Sequence, residues 1–218
     1  MHGRKKQLFT EHELQCEGRF TMPVSYTNRK GVTYSLYRGQ TKTGKPRYYF
    51  GRLEQGQSEP VTELPPGYTI SESVNGVISL TKDRPALIRP EEVAAVESTV
   101  QQHPEAHRYR VAIKGNRIEV YEQVGPDYNE LASDLHIPSL SRPGFAEELR
   151  ALEERYARFT PVLRFTLLDQ ARRLFGVQRM SSLGGIDGWW ELGQTGPVAK
   201  LARAIIPTLG TEEFYELW

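Results

Sequence analysis

The residues best placed to do chemistry begin with Gly39-Gln40-Thr41-Lys42-Thr43-Gly44-Lys45-Pro46. Their spacing follows the phosphate-binding loop G-x-x-x-x-G-K-[ST] up to the final position, where Pro46 stands in place of a hydroxyl. Proline offers neither an oxygen for Mg²⁺ nor an N–H for a phosphate, and residues 47–50 read as strand rather than as the helix such a loop must open. A nucleotide cradle is not expected here. Lys42 and Lys45 suit another task, unspecific contact with phosphates from the tip of a hairpin, which asks only for positive charge within reach.

Two further constellations are weaker. His12 and Cys16, and His103 and His107, are each four residues apart, the spacing that places two metal ligands on one helical face. Pro104 interrupts the second pair, and a zinc site would need both distant pairs to converge, so no metal and no cofactor is expected. In segment 183–191, glycines surround Trp189 and Trp190 between Asp187 and Glu191. As a loop it could take a ligand, and Asp187 and Glu191, joined by Asp169, could supply the paired carboxylates of a hydrolase. The simpler reading has one tryptophan plug the core and the other cover its rim. The chain has no G-x-S-x-G elbow, and Cys16 lacks a recognisable nucleophile setting, so no catalytic residue is assigned and the reading leans to a non-enzymatic protein.

Charge gives the main functional signal. The net charge of +1 hides an asymmetry: residues 18–53 contain no Asp or Glu, although their share of the chain's 27 would be about four. The same residues carry eight Lys or Arg and seven of the 22 aromatics. Basic groups interleaved with aromatic faces are what single-stranded or looped nucleic acid asks for. The competing reading is an ordinary solvated sheet edge, where Tyr and Phe form strands and Lys and Arg line the surface.

The elements that must position these residues follow from periodicity. Runs 32–38 and 47–53 flank the turn-rich 39–46 and read as a hairpin, with residues 23–27 as a third strand. Period-two alternation places Val32, Tyr34, Leu36, Tyr48 and Phe50 on a buried face and Tyr37, Arg47 and Tyr49 outward. Hairpins are also expected at 68–82, turned at Asn75 and Gly76, and at 109–124, turned at Gly115 and Asn116. Pro90 opens a helix whose Val93, Val96 and Val100 share a face, and Pro104 ends it. A short helix is expected at 128–135 and a longer one over 145–156, where Phe145, Leu149, Leu152 and Tyr156 recur at helical spacing. In 161–176, Thr160 and Pro161 argue for a helix, but the alternation of Leu163, Phe165 and Leu167 favours a hairpin turned near 169–172. Pro197 starts a helix with Val198, Leu201, Ala202 and Ile205 on one face, and Thr211 caps a last short one carrying Phe214, Leu217 and Trp218.

These elements imply an α+β fold of antiparallel hairpins packed with several helices. They divide into a basic, aromatic hairpin-rich module at 1–84, a helix plus hairpin at 85–136, and a mixed helical and hairpin region at 137–218. A mean hydropathy of −0.54 without a long apolar run excludes membrane-spanning helices, and a lone cysteine fits a reducing compartment. Glu11, His12 and Glu13 occupy the place where an export signal needs its apolar stretch, so a cytoplasmic location is expected. The functional expectation is nucleic-acid contact through Arg38, Lys42, Lys45, Arg47 and Arg52, with Tyr37 and Tyr49 available for stacking. The alternatives are a protein-interaction or scaffold module docking an acidic partner surface and, more weakly, a hydrolase built on Asp187 and Glu191.

Overall fold

A computed structural model of the chain describes residues 22–52, 58–125, 155–183 and 186–216, with residues 144, 148 and 151 between them. His12, Cys16, the expected helices at 128–135 and 145–156, Leu217 and Trp218 lie outside the described residues, apart from isolated positions in the second helix.

The chain is mostly β, organised as three antiparallel sheets, and this corrects the α+β expectation with its several packing helices. Among the described residues the α-helices are three and short: α1 (Pro90–Gln101), α2 (Val198–Ile205) and α3 (Glu212–Glu216). The strands are β1 (Ser25–Thr27), β2 (Thr33–Gln40), β3 (Pro46–Gly51), β4 (Glu59–Pro60), β5 (Tyr68–Glu72), β6 (Ile78–Lys82), β7 (Tyr109–Lys114), β8 (Arg117–Val124), β9 (Arg158–Asp169), β10 (Leu174–Leu183) and β11 (Ile186–Gly196). The main departure from expectation is the strand at 186–196. Its glycines read as a loop, yet Trp189, Trp190 and Thr195 are good strand formers that pair along β10.

The largest sheet runs in the order β11-β10-β9-β8-β7 and so draws strands from both 85–136 and 137–218. One face carries Ile118, Val120, Leu163, Phe165, Phe175, Val177 and Leu192, all buried against Val96 and Val100 of α1, Leu201, Ala202 and Ile205 of α2, and Phe214 of α3. Alternation decides the conformation of 158–169, where Phe159, Leu163, Phe165 and Leu167 are buried. Pro161 is tolerated because it falls where the β8–β9 register shifts, beside Tyr121, and a bulge needs no amide donor. Helix α1 begins at Pro90, as its sequence implies, and Glu92 reaches back to accept the Arg89 N–H at 2.8 Å. Thr211 precedes α3 but donates its hydroxyl to the Thr208 carbonyl at 2.7 Å instead of capping the helix.

The acid-free segment forms a separate small sheet in which β2 pairs with β3 on one side and with β1 and β4 on the other. Two asparagines attach it to the rest. Asn28 holds the β1–β2 turn by accepting N–H bonds from Lys30 and Val32, and donates to the Gly76 carbonyl at 2.7 Å in the β5–β6 turn. Asn75 in that second turn grips the backbone of Phe159 on β9, donating to its carbonyl at 2.9 Å and accepting its N–H at 2.8 Å. The hairpin β2–β3 is thereby fixed relative to the large sheet. No helix among the described residues is long and apolar enough to cross a membrane.

Candidate nucleic-acid interface

The β2–β3 register sets which side chains share a face. Leu36 lies opposite Phe50, Tyr37 opposite Tyr49, Arg38 opposite Tyr48 and Gly39 opposite Arg47. Arg38 therefore shares a face with Tyr48 and Tyr34, and Arg52, just past the end of β3, places its guanidinium 5.8 Å from the centre of the Tyr34 ring. Arg47 projects from the other face, beside Tyr37 and Tyr49. Lys42 and Lys45 occupy the connecting loop, which is closed by Thr41 N–H to the Lys45 carbonyl at 2.8 Å and Gly44 N–H to the Thr41 carbonyl at 2.9 Å. Gly44 has φ +75, a conformation that side chains disfavour, so this glycine sets the turn.

Arg38, Lys42, Lys45, Arg47 and Arg52 are all exposed, and none forms an ion pair among the described residues. They do not make one flat patch. The two lysines sit at the tip, Arg47 and Arg38 lie just behind it on opposite faces, and Arg52 lies at the other end of β3 beside Tyr34, so four of the five cations gather at the hairpin end. A groove of about 550 Å³ runs beside the tip, lined by Arg38, Gly39, Gln40, Gly44, Pro46 and Glu59. Glu59 lies directly across from Arg38 on β4, and the site thus has a carboxylate at its margin.

The aromatic expectation is corrected in part. Tyr37 is only 7% exposed: it stacks on Tyr49 with ring centroids 5.9 Å apart and faces Pro60 on β4. The cause is β4, a two-residue strand that turns an outward position inward. Tyr49 is half-buried and hydrogen-bonds Ser58 through its hydroxyl. Tyr48, assigned to the buried face, is half-buried and lies directly across from Arg38.

The near-match to a phosphate-binding loop resolves into two strand ends and a hairpin turn. The Lys45 N–H, which a cradle would aim at phosphate, is taken by the Thr41 hydroxyl at 3.1 Å. Asp187 and Glu191 lie on β11, four residues apart on an extended strand, which separates their Cα positions by about 13 Å. Glycosidase-type carboxylate pairs work at about 5 to 9.5 Å. Asp169 pairs with Leu174 at the far end of β10 from Ser182, the partner of Asp187, and spends one oxygen on the N–H groups of Ala171 and Arg172 at 2.9 Å. Neither tryptophan plugs the core: Trp189 lies under the Arg164 guanidinium at 4.0 Å, and Trp190 is 45% exposed.

His103 is buried, with Nε2 3.2 Å from the Leu209 carbonyl and Nδ1 accepting the Glu105 N–H at 3.1 Å. Both ring nitrogens are thus engaged with backbone groups, which leaves neither for a metal. Among the described residues no group of three His, Cys, Asp or Glu side chains could hold a metal ion. No family model matches the chain, and no curated protein or solved structure is found to resemble it.

Proposed function

We propose that the chain is a non-enzymatic protein that contacts nucleic acid with its β2–β3 hairpin, phosphates being held by Arg38, Lys42, Lys45 and Arg47 towards the tip and by Arg52 at the other end of β3. What carries the reading is that these five exposed cations gather on one hairpin without an ion pair among the described residues. Such charges have nothing to give up when a phosphate arrives except counterions, whose release drives binding. A closed tip loop and two asparagine anchors support the reading, because a pre-formed cationic tip loses little freedom on binding. Tyr48 takes the stacking role that Tyr37 cannot fill. The single cysteine suits a reducing, cytoplasmic setting.

The test is fluorescence anisotropy with labelled single-stranded and duplex oligonucleotides across a salt series. Three phosphates neutralised at the tip should give a slope of log affinity on log salt of about −2 for single strands and about −3 for duplex. Reversal of Lys42, Lys45 and Arg47 to Glu should flatten both slopes in a folded protein. Tyr48→Ala should weaken single-strand binding by about 1 to 3 kcal/mol and leave duplex nearly untouched. Absence of binding at low salt, or binding indifferent to the triple reversal, would transfer the hairpin to an acidic partner protein.

A further inference from the structure

A second cationic feature lies on the large sheet, on the face turned away from the helices. Arg117 on β8 pairs in register with Thr166 on β9, and Glu119 pairs with Arg164, so these four side chains project from the same face. Arg117 and Arg164 are thus diagonal neighbours of like charge, an arrangement that costs free energy unless something negative sits between them. Two carboxylates are near enough to do so and both are engaged elsewhere. Glu119, almost fully buried, accepts the Tyr121 hydroxyl at 2.5 Å and the Lys114 ammonium at 3.1 Å. Glu191 accepts the side-chain amide of Gln178.

Neither arginine forms an ion pair among the described residues. Partial burial, and then the charge of Arg117, hold the Arg164 guanidinium below its ordinary range, against an opposing pull from Glu119 and Glu191. Arg164 is also held in place: its guanidinium carbon sits 4.0 Å from the centre of the Trp189 ring, and its Nε donates to Gln178. Between the two arginines, the Thr166 hydroxyl is shut off from solvent and has no hydrogen-bond partner. Thr166 itself is only part-buried, so rotation about χ1 exchanges its methyl with this hydroxyl and breaks no hydrogen bond. Two guanidinium forks and an unused hydroxyl on a fixed sheet surface are the donors that a tetrahedral oxyanion takes.

We propose that Arg117, Arg164 and Thr166 form a phosphate-binding site on the face of the large sheet turned away from the helices. It is independent of the hairpin, and it takes either a free phosphate or the phosphodiester of a nucleic acid. An anion there removes the arginine repulsion and satisfies the stranded hydroxyl. Because Arg164 lies on Trp189, occupancy should also change tryptophan emission.

The experiment titrates the full chain with inorganic phosphate at ionic strength fixed with sodium chloride, following tryptophan fluorescence. A saturable change is expected, weakened about tenfold by Arg117→Ala, the loss of one charge-assisted contact. The near-isosteric Thr166→Val should weaken it several-fold, and this variant decides the matter if Arg117→Ala does not fold. Reversal of Lys42, Lys45 and Arg47 to Glu should leave the phosphate-induced tryptophan change in place, because that signal reports Arg164 on Trp189 and not the hairpin, which separates failure of this site from failure of the hairpin reading. Displacement of phosphate by a single-stranded oligonucleotide assigns the phosphodiester as the source, whereas saturable binding without displacement assigns a free phosphate. A response that never saturates, or one unchanged in a folded Arg117→Ala or Thr166→Val protein, would overturn the proposal.

Discussion

Removing the Asn75 side chain should loosen the small sheet from the large one. Asn75 meets Phe159 as a strand would, with one N–H donated at 2.9 Å and one accepted at 2.8 Å, so a single amide does the work of a backbone pair. Phe159 is 4% exposed, and its backbone groups have little access to water once Asn75 is gone. A net loss near 1 kcal/mol per hydrogen bond, raised by the desolvation cost of whatever stays unpaired, gives about 2 to 4 kcal/mol for Asn75→Ala. Urea denaturation followed by circular dichroism and tryptophan emission measures this directly. Asn75→Asp refines the argument. At neutral pH its carboxylate still accepts the Phe159 N–H but faces the Phe159 carbonyl with no proton to donate, so the variant should be no more stable than Asn75→Ala. That contact raises the folded pKa of the new carboxyl above the unfolded value, so protonation restores a donor and Asn75→Asp should gain on Asn75→Ala as pH falls towards about 4. A cost below about 0.5 kcal/mol for Asn75→Ala, or an Asp variant that tracks the Ala variant at every pH, would refute the strand-like account of this contact.

Two further outcomes follow from single contacts. Burial opposes ionisation of Glu92, but the hydrogen bond and charge of Arg173 and the Arg89 N–H outweigh it and hold the carboxyl below its ordinary value of 4.5. Its contribution should be complete above that value and lost as pH falls through the lower folded one, so Glu92→Gln should flatten the acid limb of a stability profile from pH 7 to 3, and parallel profiles would contradict this. Calorimetry should find no Mg²⁺-dependent ATP or GTP binding at residues 39–46, since the Lys45 N–H is already bonded to Thr41 and Pro46 has no hydroxyl; micromolar affinity abolished by Lys45→Ala would sink that reading.

What was legible in the sequence was local. The hairpins β2–β3, β5–β6 and β7–β8 are each closed by a few turn residues, and Gly44, Gly76 and Gly115 take the positive φ that those turns require. The faces of α1 and α2 could be read because Val96, Val100, Leu201 and Ile205 repeat at helical spacing within one continuous segment. Failures began where the outcome depended on a distant partner. Alternation divides a strand into two faces and says nothing about which is covered. Alternation puts Tyr37 outward, and β4, too short to leave a periodic signature, covers it. Trp189 and Trp190 read as a loop for the same reason, because only pairing with β10 makes 186–196 a strand.

The same distinction separates the two cationic sites. Lys42, Lys45 and Arg47 are neighbours in sequence, so a run without acids is enough to announce them. Arg117 and Arg164 become neighbours only through the β8–β9 register, and a slip of one residue there would send one of them into the core. That register is held by Ile118 opposite Phe165 and Val120 opposite Leu163, four side chains with no exposed surface. The two guanidinium groups therefore cannot relax apart by sliding the strands, because doing so would turn out the two core side chains of whichever strand moved, at about 1.5 to 3 kcal/mol each, more than a screened surface repulsion costs. The core thus imposes on the opposite face a juxtaposition of like charges that Glu119 and Glu191 offset only in part, since Arg164 stays below its ordinary range, and an anion from outside is one way to relieve the rest.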